Sequence, residues 1–293
     1  MFDNIAIIAG SGNLPFKIAT YLKKLNSKFI VLSIKGFSNI SLYKNFKSYS
    51  LRMGEGYKAI KILKENNIKK IVFLGGLERP SLKTLRPDLW TFFKVFSFIF
   101  FKKTDDVILR NVISIFENEG FQVIGLSNIT DKYFLKKGMY GYRNTVPKRD
   151  KIIIDRFLLE IIEWLKADIG QCVIASKNEI IFKENRKGTD NLILRSIKSN
   201  KNSYLFIKLK KVHQDDRVDL PTFGFKTLKK LVKTDIKYII LDANYTVVLD
   251  KSKVLSYLKK YKITLISVDI DYLRKKKIKF MFGKPHITGL SYE

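Results

Sequence analysis

Five apolar residues, Ile5-Ala6-Ile7-Ile8-Ala9, run without a break into Gly10-Ser11-Gly12-Asn13-Leu14-Pro15, and a helical pattern follows from about Phe16 to Leu25. The strand-then-helix order repeats. Phe29 to Ile34 is a second apolar run, a helical stretch from about Tyr57 to Asn66 leads into Ile71-Val72-Phe73-Leu74, and a helix to about Asn118 precedes the strand Phe121 to Gly125. Apolar strands alternating with helical patterns predict an α/β fold with a parallel sheet in the first half. Two strands end on glycine, at Gly10 and at Gly75-Gly76, and such sheets bind ligands at the carboxyl ends of their strands. A glycine loop at a helix N-terminus can offer backbone N–H groups to phosphate, and Gly75-Gly76 serves a tight turn equally well. The spacing is Gly-x-Gly-x-x-Pro, without the third glycine of the dinucleotide fingerprint, and Phe29 to Ile34 ends at Lys35-Gly36 rather than at an acidic residue. That argues against a nicotinamide cofactor.

Between Ser127 and Arg149 the alternation stops, with glycines at 138 and 141 and Pro147. A domain boundary falls there: an N-terminal domain over 1–130, a linker over 131–148, and a C-terminal domain over 149–293. Leu158, Ile161, Ile162 and Leu165 define one buried face of a helix from about Arg156 to Lys166. Cys172–Ala175 and Ile180–Phe182 predict a hairpin, and Tyr238–Leu241 with Thr246–Leu249 a second one around Asp242 to Tyr245. A helix capped by Thr189 or Asp190, another from near Phe225, a third over about Lys253 to Tyr261 and the strand Thr264–Val268 complete a mixed sheet with helices, ending in a basic tail at Arg274-Lys275-Lys276-Lys277.

The 293 residues are 46% hydrophobic and 13% aromatic, a composition that suits a packed core and excludes the disordered class. A lone cysteine, Cys172, excludes an internal disulfide framework and fits a reducing compartment; its neighbours Val173-Ile174-Ala175 predict a buried strand thiol rather than a nucleophile. No basic-then-apolar leader opens the chain, so a cytoplasmic location is expected. The net charge of +29 comes from 45 Lys and 11 Arg, the lysines scattered over nearly every helical stretch. Specific phosphate readers favour Arg, whereas dispersed Lys attracts anionic surfaces generally, lipid headgroups included, at about 1 kcal/mol per basic residue. Trp90 to Phe101 holds seven aromatic residues in twelve and is too short for a bilayer, which needs about 20. A contact with lipid or an acyl chain, a core helix and an oligomer contact are all open there.

Charge is densest at His213-Gln214-Asp215-Asp216-Arg217-Val218-Asp219-Leu220-Pro221-Thr222-Phe223-Gly224, between the β-rich run Tyr204 to Leu209 and the helix near Phe225. Three carboxylates and a guanidinium on a strand-to-helix connection suit a metal-phosphate site, since Asp binds Mg²⁺ or orients water and Arg grips phosphate oxygens in pairs. A solvated loop whose Asp residues cap the next helix is the alternative. His213 and His286 are not spaced as a zinc pair, and no Gly-x-Ser-x-Gly or Cys-His arrangement supports covalent catalysis.

Taken in order, Ala9 to Pro15, Gly75-Gly76-Leu77-Glu78-Arg79-Pro80 with Pro87-Asp88, Asp105-Asp106, Asp168-Ile169-Gly170-Gln171, Gly188-Thr189-Asp190 and Gln214 to Thr222 resemble the UDP-2,3-diacylglucosamine pyrophosphatase family of lipid A biosynthesis, in its form unrelated to calcineurin-like phosphoesterases. The resemblance spans about residues 4 to 270. It implies a Rossmann-like N-terminal domain, a distinct C-terminal catalytic domain, and a lipid substrate held between them. It further implies Mg²⁺-dependent hydrolysis to UMP and 2,3-diacylglucosamine 1-phosphate by water attack on the α-phosphorus. The family's catalytic Asp falls on Asp219, with Arg217 beside it. The metal candidates are Asp219, Asp215, Asp216, Asp190 and Glu184. Gly10, Ser11, Gly12, Leu14, Pro15, Gly75, Gly76, Arg79, Gln171, Thr189 and Thr222 are the candidates for substrate contact. Ser11 stands where a glycine is usual, Thr104 replaces the glycine before the paired Asp residues, and Asn185 and Lys187 replace a Gly and a Glu in what is commonly Glu-Gly-x-Glu-Gly-Thr-Asp. The lipid substrate makes peripheral contact with the inner-membrane surface an expectation, and a homo-oligomer is open. The competing functions are another nucleotide- or sugar-nucleotide-dependent enzyme using Gly10 to Pro15, and a basic nucleic-acid-binding protein.

Overall fold

The structure is a computed structural model, and it describes residues 3–77, 85–99, 105–167, 169–199, 201–212 and 214–275. The chain forms two compact units, one of residues up to 131 together with 215–219, the other of 132–214 and from 220 onward.

The first unit is built on β1 (Ile5–Ala9), all five of whose residues are buried. A strand apolar on both faces belongs inside a parallel sheet covered on both sides. β1 accordingly lies between β2 (Phe29–Ile34) and β4 (Lys70–Leu74), with β3 (Ser48–Leu51) outside β2 and β5 (Gln122–Val123) outside β4, all parallel in the order β3-β2-β1-β4-β5. α1 (Leu14–Lys24) packs on β1 through Ile18, Ala19 and Leu22, while α2 (Gly56–Glu65) buries Ile60 and Leu63 against Ala6, Ile8 and Leu32. α3 (Leu89–Ile99) and α4 (Asp105–Asn118) connect β4 to β5. Asp88 joins two of these helices: Oδ1 accepts from Thr91 N–H in the first turn of α3, and Oδ2 from Tyr57 N–H in the first turn of α2. In α3, Trp90 packs on Tyr57, whereas Leu89 and Phe93 are 74% and 71% exposed; the side chains from 95 to 101 lie outside the described residues.

The second unit is a mixed six-stranded sheet. β6 (Gly138–Gly141) lies at one edge and runs antiparallel to β13 (Thr264–Val268); β13, β11 (Tyr238–Asp242) and β9 (Leu205–Lys208) are parallel; β7 (Cys172–Ala175) and β8 (Ile180–Lys183) complete it antiparallel. Alternate residues along β9 separate the core in two. Leu205 and Ile207 meet α5 (Lys148–Leu165), while Phe206 meets α6 (Gly188–Lys198), α7 (Phe225–Leu231) and α8 (Lys251–Lys260). A short α9 (Ile270–Lys275) follows β13.

Several boundaries differ from expectation. The 131–148 stretch, expected to be a linker, contributes β6 to the second sheet, and α5 begins at Lys148, after Pro147, well before Arg156. The predicted hairpin of Tyr238–Leu241 with Thr246–Leu249 does not form. β11 has β9 on one edge and β13 on the other, so β12 (Val247–Leu249) pairs instead with β10 (Thr222–Gly224).

Candidate functional site

The expected site residues fall into three groups. The first is the meeting of two glycine corners at the carboxyl ends of β1 and β4. Gly10 N–H donates to Leu74 O at 2.8 Å, Ser11 N–H to Gly76 O at 2.8 Å, and Gly76 N–H to Ser11 O at 3.3 Å. A Cβ at Gly10 would lie 2.5 Å from Gly76 O, and one at Gly75, whose φ is +86°, would lie 2.3 Å from Ser11 O. The glycines therefore let two main chains interlock, and the amides of Gly10, Ser11 and Gly76 are occupied by that contact rather than turned to a ligand. Gly12 follows, exposed with φ +88°, then Leu14 and Pro15 in the first turn of α1. Arg79 lies outside the described residues.

The second group is the acidic turn itself. Although 215–219 comes late in the sequence, it belongs to the first unit. Val218 and Asp219 donate their N–H groups to Asp215 O at 3.2 and 3.1 Å, closing a tight turn of half-buried residues. Arg217 directs Nε at Asp215 Oδ1 (3.0 Å), Nη2 at Asp215 Oδ2 (2.9 Å) and Nη1 at Glu117 Oε1 in α4 (2.7 Å). Hydrogen bonds from the Arg217 side chain hold the Asp215 carboxyl below the usual carboxylate range, and Asp215 in turn raises Arg217. Both Asp215 oxygens face the guanidinium, and Asp216 and Asp219 are the other two carboxylates of this turn.

The third group lies in the second unit, where separate motif pieces converge. Glu184, 7% exposed, accepts Gln171 N–H on Oε2 at 2.9 Å and the Thr189 hydroxyl on Oε1 at 2.6 Å. The Thr189 oxygen accepts from Lys208 Nζ at 3.0 Å, and Lys208 is 6% exposed. Sheet register explains the meeting: Lys208 ends β9 directly opposite Cys172 on β7, on the face that α6 covers with its first turn. Cys172 is buried, and burial first, then Glu184, pushes its thiol well up. Gln171 Oε1 is a buried acceptor with no hydrogen bond among the described residues.

Two candidates stand apart from these groups. Asp190 is exposed and pairs with Lys230 at 2.6 Å, and Thr222 is exposed at the start of β10. Of the five expected metal carboxylates, Asp215, Asp216 and Asp219 belong to the first unit and Glu184 and Asp190 to the second, and among the described residues no three His, Cys, Asp or Glu side chains form a group that could hold a metal. Mg²⁺ commonly takes only one or two protein carboxylates, with water and phosphate oxygens completing its shell. Asp216 and Asp219, hard oxygen donors on one half-buried turn, fit that pattern; Glu184, with both oxygens hydrogen-bonded inside the fold, fits it less well.

The sequence reading missed Glu117, Arg110 and Lys208. Arg110 and Glu117 are seven residues apart on one helix and so share a face; Lys208 closes an otherwise apolar strand, a signal for a buried charge.

Among known proteins, the family model described as LpxI N-terminal domain matches residues 4–133, and the one described as LpxI C-terminal domain matches 145–266. UDP-2,3-diacylglucosamine pyrophosphatase LpxI of Caulobacter vibrioides is 27% identical over 274 residues, an alignment covering 90% of this chain and 97% of that protein. No helix among the described residues is long and apolar enough to cross a membrane. Both domain matches occur in chain order and together include the glycine corners, the acidic turn and the Glu184 cluster, so the chain belongs to the LpxI family.

Proposed function

We propose that this chain hydrolyses the diphosphate of UDP-2,3-diacylglucosamine to UMP and 2,3-diacylglucosamine 1-phosphate; its Caulobacter relative carries the name UDP-2,3-diacylglucosamine pyrophosphatase, which supports the substrate and the bond. The observation that carries the reading is the turn at 215–219, where carboxylates and a guanidinium are concentrated on a half-buried, hydrogen-bonded loop. Bound Mg²⁺ would supply neutralisation of the diphosphate oxygens, with Asp219 and Asp216 as its protein ligands. Asp219 orients the attacking water and accepts the proton it sheds. The water oxygen bonds to the α-phosphorus, the bridging P–O bond breaks, and the bridging oxygen leaves on the 1-phosphate. Arg217 uses three of its N–H groups on Asp215 and Glu117, and its remaining N–H groups face toward phosphate oxygens in this scheme.

The test is UMP release from the UDP-linked lipid by the purified protein, with and without Mg²⁺. The expected result is Mg²⁺-dependent release that collapses in Asp219→Ala while the lipid still binds; undiminished release in that variant removes Asp219 from its role.

A further inference from the structure

The first unit holds the acidic turn by complementary features that neither the sequence motifs nor the family match assigns. Arg110 and Glu117, on one face of α4, present a positive and then a negative charge. The turn presents the opposite order, Asp215 and then Arg217, and Glu117 Oε1 lies 2.7 Å from Arg217 Nη1. Beyond β5, Gly125 gives the turn room, since a Cβ there would lie 3.2 Å from Asp216 O and 3.3 Å from Arg217 Cα. Arg217 therefore links two contacts. Toward its own turn it braces Asp215, whose carbonyl oxygen receives the Asp219 N–H; toward α4 it meets Glu117.

We propose that Glu117 is a positioning residue for the hydrolytic reaction: through Arg217 it sets where the Asp219 carboxylate stands. This rests on the role given to Asp219 above. As an ion pair alone the contact is weak, because Glu117 and Arg217 are 39% and 37% exposed and solvent screens them. Its effect is geometric. The turn is five residues long and contains the reacting carboxylate, and a displacement of about 1 Å at a reacting group can cost as much as a hundredfold in rate.

Glu117→Gln and Glu117→Lys in the full chain test this, with Glu119→Gln as the control. Glu119 belongs to the same unit and forms an ion pair with Lys64 of α2 at 2.8 Å. Two readouts are taken: amide hydrogen exchange at Val218 and Asp219, which needs neither Mg²⁺ nor substrate, and kcat and KM for UMP release. Glu117→Lys should speed exchange at both amides and lower kcat by about tenfold with KM nearly unchanged. Glu117→Gln should shift both readouts in the same direction by less, and it carries the test if the lysine variant does not fold. Exchange and kcat equal to those of the Glu119→Gln control would overturn the proposal, as would faster exchange with kcat intact. If Asp219→Ala keeps full activity, the catalytic reading falls instead, and exchange at these amides still shows whether Glu117 holds the turn.

Discussion

The turn at Asp215–Asp219 and the cluster of Glu184, Thr189 and Lys208 use the same residue types in opposite settings. The turn is half-buried, with the Arg217 side chain 37% exposed and that of Asp215 16%. The cluster is enclosed: Glu184 and Lys208 are 7% and 6% exposed, and a threonine hydroxyl bridges their charges. A charge in water can be removed at little cost to folding, whereas a buried one leaves its partner stranded. Sequence proximity concentrates charge in the turn, but burial makes the cluster the more demanding place for it.

Substitutions in the two regions should therefore fail in different ways. Asp219→Ala should reduce UMP release by roughly 10²- to 10⁴-fold, the range for removing a positioned acid or base, with urea unfolding nearly that of the parent. A large stability loss in that variant would erase the contrast. Lys208→Met should do the reverse in kind, destabilising by on the order of 3 kcal/mol because it removes the cation from a buried cluster that still contains the Glu184 carboxyl. Restoring balance with Glu184→Gln in the same chain should recover part of that loss. Cys172, buried opposite Lys208, reports the opening: its thiol should react with a thiol reagent only as the second unit unfolds.

The glycine corner sharpens the comparison, because no charge is involved. Gly75→Ala places a Cβ 2.3 Å from Ser11 O at a φ of +86°, and should cost about 2 kcal/mol in urea unfolding. The smallest effect expected is alkaline. Burial, then the hydrogen bond to Asp150, pushes the Tyr238 phenol up to about 12. A phenol raised above its unfolded value of about 10 contributes stability that is complete below that pH. That stability is lost as pH rises toward about 12. Melting temperature measured at rising alkaline pH should fall less steeply in Tyr238→Phe than in the parent; equal slopes would separate Tyr238 from the alkaline loss.

Much of this fold was legible in the chain. The run Ile5–Ala9 and its alternation with helical patterns foretold a parallel first sheet, and Cys172–Ala175 with Ile180–Lys183 formed the expected hairpin. The second expected hairpin was not formed, because local pattern cannot show that β9 and β13 already occupy both edges of β11. At the site, the glycines were visible but their task was not. Gly-x-Gly at a strand end suggests amides free for phosphate, and only the partner backbone shows that Ser11 and Gly76 bond each other.

What the sequence determined by itself was local: which segments are strands or helices, where acidic and basic groups concentrate, and that Cys172 sits in an apolar strand. These follow from periodicity and composition, which act over neighbouring residues. The tertiary structure decided the long-range matters. It assigned residues 215–219 to the first unit, brought Glu117 to Arg217 across a hundred positions of chain, and placed Lys208 against Thr189. Such contacts depend on sheet order and register, which set the distance between residues far apart in the chain and leave no mark on the spacing of either one.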